Sequence, residues 1–269
     1  MLIDFHAHIF ADALAPRARA VLMENSHGAY THCTDMTLGG LTAYMDAHGV
    51  DKSVVLPIVT KQRQTETINK WAASINDGEK IVAFGGIFPH TDDYKRDIDL
   101  VVSLGLKGIK LHPEYQEFVA DEKELFPVYE YALDKGLIIV WHAGYDPIGT
   151  PPYRSDPFMF ARIAGAFPGC GDRLVAAHLG GQSQWEDVYD TLAGREIMLD
   201  TSMASKYCPQ GLFEAIVEKH GADRVLFASD SPWSDAAEEK ARLETYSFTA
   251  EEKEMIFHAN AERVLGIKR

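Results

Sequence analysis

The segment GIKLHPEYQEFVADEKELFPVYEYALDKGLIIVWHAG, Gly108 to Gly144, holds the unit from which the rest of the chain is built. It opens on a short apolar run, Gly108 to Leu111, and nears its close on another, Leu137 to Trp141, both of strand length. Between them Leu125, Val128, Tyr129, Ala132 and Leu133 recur at helical spacing, and Gly136 follows where a left-handed residue can end a helix. Strand, helix and strand in that order predict a right-handed crossover joining parallel strands.

The same alternation extends in both directions. Further runs at Leu2 to Phe5, Ser53 to Leu56, Ile81 to Ile87, Leu174 to Ala177, Ile197 to Asp200 and Val225 to Ala228 make eight strands. Leu41, Tyr44, Met45 and His48 before Gly49, and Leu212, Ala215, Ile216 and Lys219 before Gly221, are further helix stripes. Eight such units predict an α/β fold, a single (β/α)8 TIM barrel over residues 1–269, in preference to an open doubly wound sheet. Gly85-Gly86 and Gly180-Gly181 lack the spacing of a dinucleotide-binding turn. Thr249-Ala-Glu-Glu reads as a capping box opening a C-terminal helix with apolar Met255, Ile256, Ala259 and Val264, placed to close the barrel wall. Ala11 to Glu24 and Tyr30 to Gly40 together are too long for a βα loop and predict an insertion after strand one, lying over the mouth as a candidate lid. The Pro- and Gly-rich Gly144 to Pro157 is a single loop, not a linker.

Composition narrows the partners. The chain carries 26 Lys and Arg against 40 Asp and Glu, a net charge of −14, which argues against nucleic acid or an anionic membrane as the main partner. The start has no basic region followed by an apolar run, and no window approaches a membrane span, so a cytoplasmic protein is expected. Cys33, Cys170 and Cys208 form no CxxC pair and read as reduced thiols without a role. A small-molecule substrate is the expected partner, with a homodimer as the commonest assembly.

In a barrel of this kind the chemistry sits at the carboxyl ends of the strands. His6 and His8 follow strand one, two apart and therefore on one face, and two imidazoles aimed together suit Zn²⁺. A lone HxH pair is equally well read as two hydrogen-bonded histidines. His142 after strand five and Asp230 after strand eight change the balance, because three buried imidazoles and a carboxylate are costly without a common partner. The expected metal ligands are therefore His6, His8, His142 and Asp230, with a position open for water and one ion per chain, Zn²⁺ or Mn²⁺. His178 after strand six is a fifth ligand, a core histidine or a proton shuttle, and the last reading is preferred because imidazole both accepts and donates near neutrality. Asp230 could also accept a proton from bound water. Lys110 ends strand four and could carry CO₂ and bridge two metals, bind a substrate anion or pair with an acid. His112, on the same strand face, is a candidate substrate contact or a structural residue before Pro113.

Taken together, HxH at strand one, His after strands five and six, and Asp in Ala-Ser-Asp-Ser-Pro at strand eight resemble the amidohydrolase superfamily. Ile-Asp-Phe-His-Ala-His from Ile3, Gly-Ile-Lys-Leu-His-Pro from Gly108, Ala-His-Leu-Gly-Gly from Ala177 and Asn-Ala-Glu-Arg-Val-Leu-Gly from Asn260 resemble, more narrowly, the branch containing aminocarboxymuconate-semialdehyde decarboxylase. The resemblance runs from Ile3 to Gly266. It implies a distorted TIM barrel, a catalytic divalent metal on His6, His8, His142 and Asp230, and His178 as catalytic acid or base. It also implies a mononuclear centre, so the bridging role of Lys110 is not carried over. The branch spans hydrolysis and non-oxidative decarboxylation.

Three functions follow as expectations. The first is metal-dependent hydrolysis of a small, anionic ester, lactone or amide by metal-activated water, with His178 and Asp230 moving protons. The alternative is metal-dependent decarboxylation of a small unsaturated or aromatic acid at the same site. A barrel that binds a metabolite without turning it over is the reading from another class. Arg63 and Arg154 are candidate anion-binding cations, and Tyr145, Tyr153 and Trp233 candidate pocket walls. Asp200-Thr-Ser-Met203 and Ser231-Pro-Trp233 lack the glycines of a phosphate-binding barrel. His27, His48, His90, His220 and His258 read as surface or helix residues.

Overall fold

The computed structural model describes residues 1–267. Nine strand segments, all parallel, run in chain order: β1 Ile3–Ala7, β2 Lys52–Val55, β3 Ile81–Ala83, β4 Gly85–Gly86, β5 Gly108–Leu111, β6 Ile138–Trp141, β7 Leu174–Ala176, β8 Met198–Asp200 and β9 Val225–Leu226. They pair as β1-β2-β3 and as β4-β5-β6-β7-β8-β9. Segments β3 and β4 are two halves of one stave, the first bonded to β2 and the second to β5, so the nine segments make eight staves. The seam between last and first stave closes through Phe5 N to Phe227 O at 2.9 Å and Asp230 N to His6 O at 2.9 Å. The expected (β/α)8 barrel is what the chain forms.

Alternation along the strands sorts core from site. On β5, Ile109 and Leu111 pack outward against the helices while Lys110 points in; on β6, Ile139 and Trp141 point out while Ile138 and Val140 face the interior. Interior residues of β1, β2, β3 and β7, among them Ile3, Phe5, Val54, Val82 and Val175, fill the barrel below the site. The register of β1 shifts between Asp4 and Ala7, which pair with Ser53 and Val55, so β1 uses three steps where β2 uses two. This bulge lets Phe5 belong to the interior core and the neighbouring His6 line the mouth.

Helix boundaries follow their signals. Helix Leu38–His48 ends on Gly49 at φ 68°, and Thr249 forms a full capping box with Glu252. The C-terminal helix continues through Met255–Ala259 to Leu265 and covers the closing seam, with Phe227 N donating to Ile256 O. One reading needs correction. Helix Gln210–His220 buries Phe213, Ile216, Val217 and His220, so of the expected Leu212, Ala215, Ile216 and Lys219 only Ile216 is buried and the stripe lies one residue on. His220 is a helix residue that faces inward: it is fully buried, its Nδ1 accepts from Gly194 N at 3.1 Å, and its Nε2 donates to Ile197 O at 2.8 Å.

The insertion after β1 forms helix Ala15–Asn25, which buries only Ala15 and lays Arg17, Ala18, Val21, Leu22 and Asn25 along the mouth, with the capping residue Leu14 beside them. No helix among the described residues is long and apolar enough to cross a membrane.

Candidate active site

The site begins with two imidazoles whose protons are already placed. His6 Nδ1 lies 2.9 Å from Asp200 Oδ2 and His8 Nδ1 lies 2.8 Å from the Leu56 carbonyl oxygen, both acceptors, so each neutral ring carries its proton on Nδ1. Both Nε2 atoms are then lone-pair acceptors, yet they face each other at 3.1 Å. Asp230 Oδ1 joins them at 3.4 and 3.2 Å. Three electron-rich atoms converging in this way call for a cation. Within the described residues the donor that reaches them is the buried Lys110, with Nζ 3.1 Å from His6 Nε2.

His178 and His142 repeat the pattern. His178 Nδ1 donates to Ser202 O at 3.1 Å and His142 Nε2 to Tyr145 O at 3.2 Å, leaving His178 Nε2 and His142 Nδ1 as lone pairs 3.0 Å apart. Burial holds His6 and His142 well below the usual imidazole range, helped at His6 by the charge of Lys110 and at His142 by His112. Neutral rings with free lone pairs are the form that binds a metal. Burial also brings Lys110 down to about 8.

The expected ligands divide into two groups. His6, His8 and Asp230 offer ligand atoms all within 4.8 Å of one another; His142 instead falls with His112 and Asp146. His142 stacks on His112 with ring centroids 4.2 Å apart and meets the first group through His178, whose ring lies 5.5 Å from that of His6. The second group is differently disposed. Tyr115 N donates to His112 Nδ1, which puts that ring's proton on Nε2, 3.5 Å from Asp146 Oδ2. His112 thus aims a proton at Asp146, whereas the first group aims only lone pairs. The donor set of His6, His8 and Asp230, with His142 and His178 adjacent, fits a divalent ion; the second group is already supplied with a proton.

All of these side chains except Asp200 open on one cavity of about 1080 Å³. Its floor is His6, His8, Lys110, His112, His142, His178, Asp146 and Asp230, and its walls are largely apolar, including Ile9, Leu56, Ile58, Trp71, Met203 and Trp233. Tyr145 lines it, while Tyr153 packs edge-on against Tyr145 at 5.8 Å, behind the wall. Arg63 lines the cavity, and Arg17 joins it from the inserted helix. Arg154 is a correction. It does not reach the cavity, because its guanidinium pairs at 3.1 Å with the buried carboxylate of Glu114, which also accepts from Arg154 N. Gly144 holds the β6 loop against Gln182: at φ 84°, a Cβ there would sit 2.3 Å from Gln182 N.

Sequence reasoning missed Asp200, Asp146, Arg17, Tyr30, Tyr115 and Gln182. Asp200 is the most consequential, since Oδ2 orients His6 and Oδ1 accepts from the backbone N of His178 at 3.0 Å. Its signal was present: it is the last residue of β8, at a carboxyl end like the others.

Comparisons with known proteins agree with this architecture. A family model described as amidohydrolase matches residues 3–267. A 5-carboxyvanillate decarboxylase from Novosphingobium aromaticivorans, solved with manganese and 4-hydroxy-3-methoxy-5-nitrobenzoic acid, superposes with a TM-score of 0.74 at 15% identity, covering 99% of this chain and 96% of that one. An uncharacterised TIM-barrel protein from Bordetella bronchiseptica gives 0.77 at 19% identity over 98% of each chain. A 2,6-dihydroxybenzoate decarboxylase from Rhizobium gives 0.63 at 13% identity over 98% of each. No curated protein sequence matches significantly. With its barrel, its strand-end histidines and a family match spanning nearly every residue, the chain belongs to the amidohydrolase family of enzymes.

Proposed function

We propose that this protein is a metal-dependent, non-oxidative decarboxylase of a small aromatic or unsaturated carboxylic acid. The observation that carries the reading is the cavity itself: largely apolar walls lead down to a cationic Lys110 beside convergent imidazole lone pairs. The decarboxylase activities of the structural neighbours from Novosphingobium and Rhizobium support it over hydrolysis, the first expectation from sequence.

The reaction breaks one carbon–carbon bond. The electron pair stays on the ring or vinyl carbon, CO₂ leaves, and a proton takes its place. A divalent ion held by His6, His8 and Asp230, with His142 beside them, would supply Lewis acidity and orient the acid; manganese and zinc both suit mixed imidazole and carboxylate ligands. Arg17 and Arg63 draw an anion to the mouth of an otherwise acidic protein. The apolar walls hold the planar skeleton and exclude water. Lys110 binds the carboxylate at the floor. His178, its Nδ1 proton fixed on the Ser202 carbonyl, presents Nε2 to take up a proton and deliver it to carbon.

The test is incubation of Mn²⁺- or Zn²⁺-loaded protein in D₂O with a panel of hydroxybenzoates, unsaturated acids, esters and lactones. CO₂ release with one deuterium at the vacated carbon is expected. Acid release from an ester or lactone, without CO₂ from any acid, would overturn decarboxylation in favour of hydrolysis. Tight binding without turnover of any compound would leave a binding barrel.

A further inference from the structure

Glu239 is a fully buried acid that takes no part in the site described above. It sits on helix Ala236–Thr245, behind the mouth, where its Oε1 accepts from Ser234 Oγ at 2.6 Å and its Oε2 from Ser205 Oγ. The two serines belong to different catalytic loops. Ser205 follows β8 in the segment that contains Ser202, the partner of His178, and Met203 on the cavity wall. Ser234 follows β9 in the segment that contains Asp230 and Trp233. Both loops are held in conformations that L-residues rarely adopt, with Met203 at φ 58° and Asp230 at φ 67°. Such backbone persists only where its surroundings hold it. One carboxyl group pins both loops, and the loop after β9 has a second strut in Cys33, whose N donates to Pro232 O and whose thiol donates to Ser234 O at 3.3 Å.

We propose that Glu239 is a positioning residue that locks the β8 and β9 loops together, and thereby sets the alignment of Asp230 with His178, in a manner that depends on its ionisation. As a carboxylate it accepts from both serine hydroxyls, and charge strengthens both bonds. As a neutral acid its own proton must go to one serine oxygen, that serine must turn its hydrogen away, and the charge assistance is gone. Burial pushes Glu239 up to about 7, so the change falls within the working range of a neutral-pH enzyme. The groups facing it are Arg242, with Nη1 3.9 Å from Oε1, and Lys206, both favouring the carboxylate. Tyr246, which donates to Ser205 O, and the helix-capping Asp235 complete its charged and titratable surroundings.

The inference concerns alignment of the ligand set and is independent of which bond the enzyme breaks. Its test is Mn²⁺ affinity, measured by calorimetry from pH 6 to 8.5 on wild type, Glu239→Gln and Ser234→Ala, with thermal unfolding as the check on folding. Wild-type affinity is expected to rise with pH through an inflection near 7. Glu239→Gln should lose that inflection and bind about tenfold more weakly at pH 8. Ser234→Ala, which leaves the acid in place, should weaken Mn²⁺ binding about threefold at pH 8. Folded Glu239→Gln protein with wild-type affinity and the wild-type inflection would overturn the proposal. If Glu239→Gln does not fold, wild-type affinity at pH 8 in Ser234→Ala would do so.

Discussion

The proton on His6 is where a single atom decides the chemistry. Asp200 keeps it on Nδ1 and so leaves Nε2 bare toward His8 and Asp230. In Asp200→Asn an amide NH₂ can face that nitrogen, which drives the proton to Nε2 and into the ligand nest. Metal affinity should fall on the order of 10- to 100-fold, and titration with Mn²⁺ at fixed pH checks it; unchanged affinity would remove Asp200 from this role. Arg63 acts at longer range. It makes no ion pair among the described residues, and Arg63→Ala should raise KM for an anionic substrate several-fold while leaving kcat nearly constant, a split that steady-state kinetics reads directly.

At the level of elements, His220 ties helix Gln210–His220 to the segment entering β8. Burial, then the charge of Arg224, lowers it to about 4, so it stays neutral and keeps Nδ1 free to accept from Gly194. His220→Ala leaves the Gly194 N–H and the Ile197 carbonyl without these partners and opens a cavity. A loss of about 2–4 kcal/mol is expected, measured by urea unfolding. This residue also shows where sequence reading stops. Leu212 and Phe213 are adjacent and both apolar, so the stripe can be drawn through either, and only packing chooses the one that buries His220. Strands and strand-end histidines were legible because a barrel fixes both their period and the end at which chemistry collects. Arg154 was not, since its partner Glu114 is forty residues away and a loop cation does not announce its partner. The division of His142 from His6 and His8 was equally hidden, being a matter of ring orientation: the Tyr145 carbonyl and the face of His112 turn it.

For the whole molecule, the buried histidines make the metal-free protein sensitive to acid. His6, His112, His142 and His220 all lie below the unfolded value of 6.5, so their contribution is present above that pH and is lost as pH falls through their folded values. Asp4 and Glu239, raised by burial to about 7, act oppositely: their contribution is full at low pH and disappears as pH rises through 7. Carboxylates held below their ordinary value, among them Asp230, Asp77 and Glu214, add to the imidazoles, and the metal-free protein should lose thermal stability from about pH 6.5 downward. Calorimetry between pH 4 and 8 tests the sign, and added Mn²⁺ should raise Tm by stabilising only the folded form. The seam between β9 and β1 carries one more consequence, which concerns the order of synthesis. His6 and Asp230 meet across that seam, so a nascent chain that has emerged only through β8 already contains His6, His8, His142 and His178 while β1 still has an unpaired edge. Throughout that interval the exposed edge is a template for another chain, and metal capture must wait for the last stave.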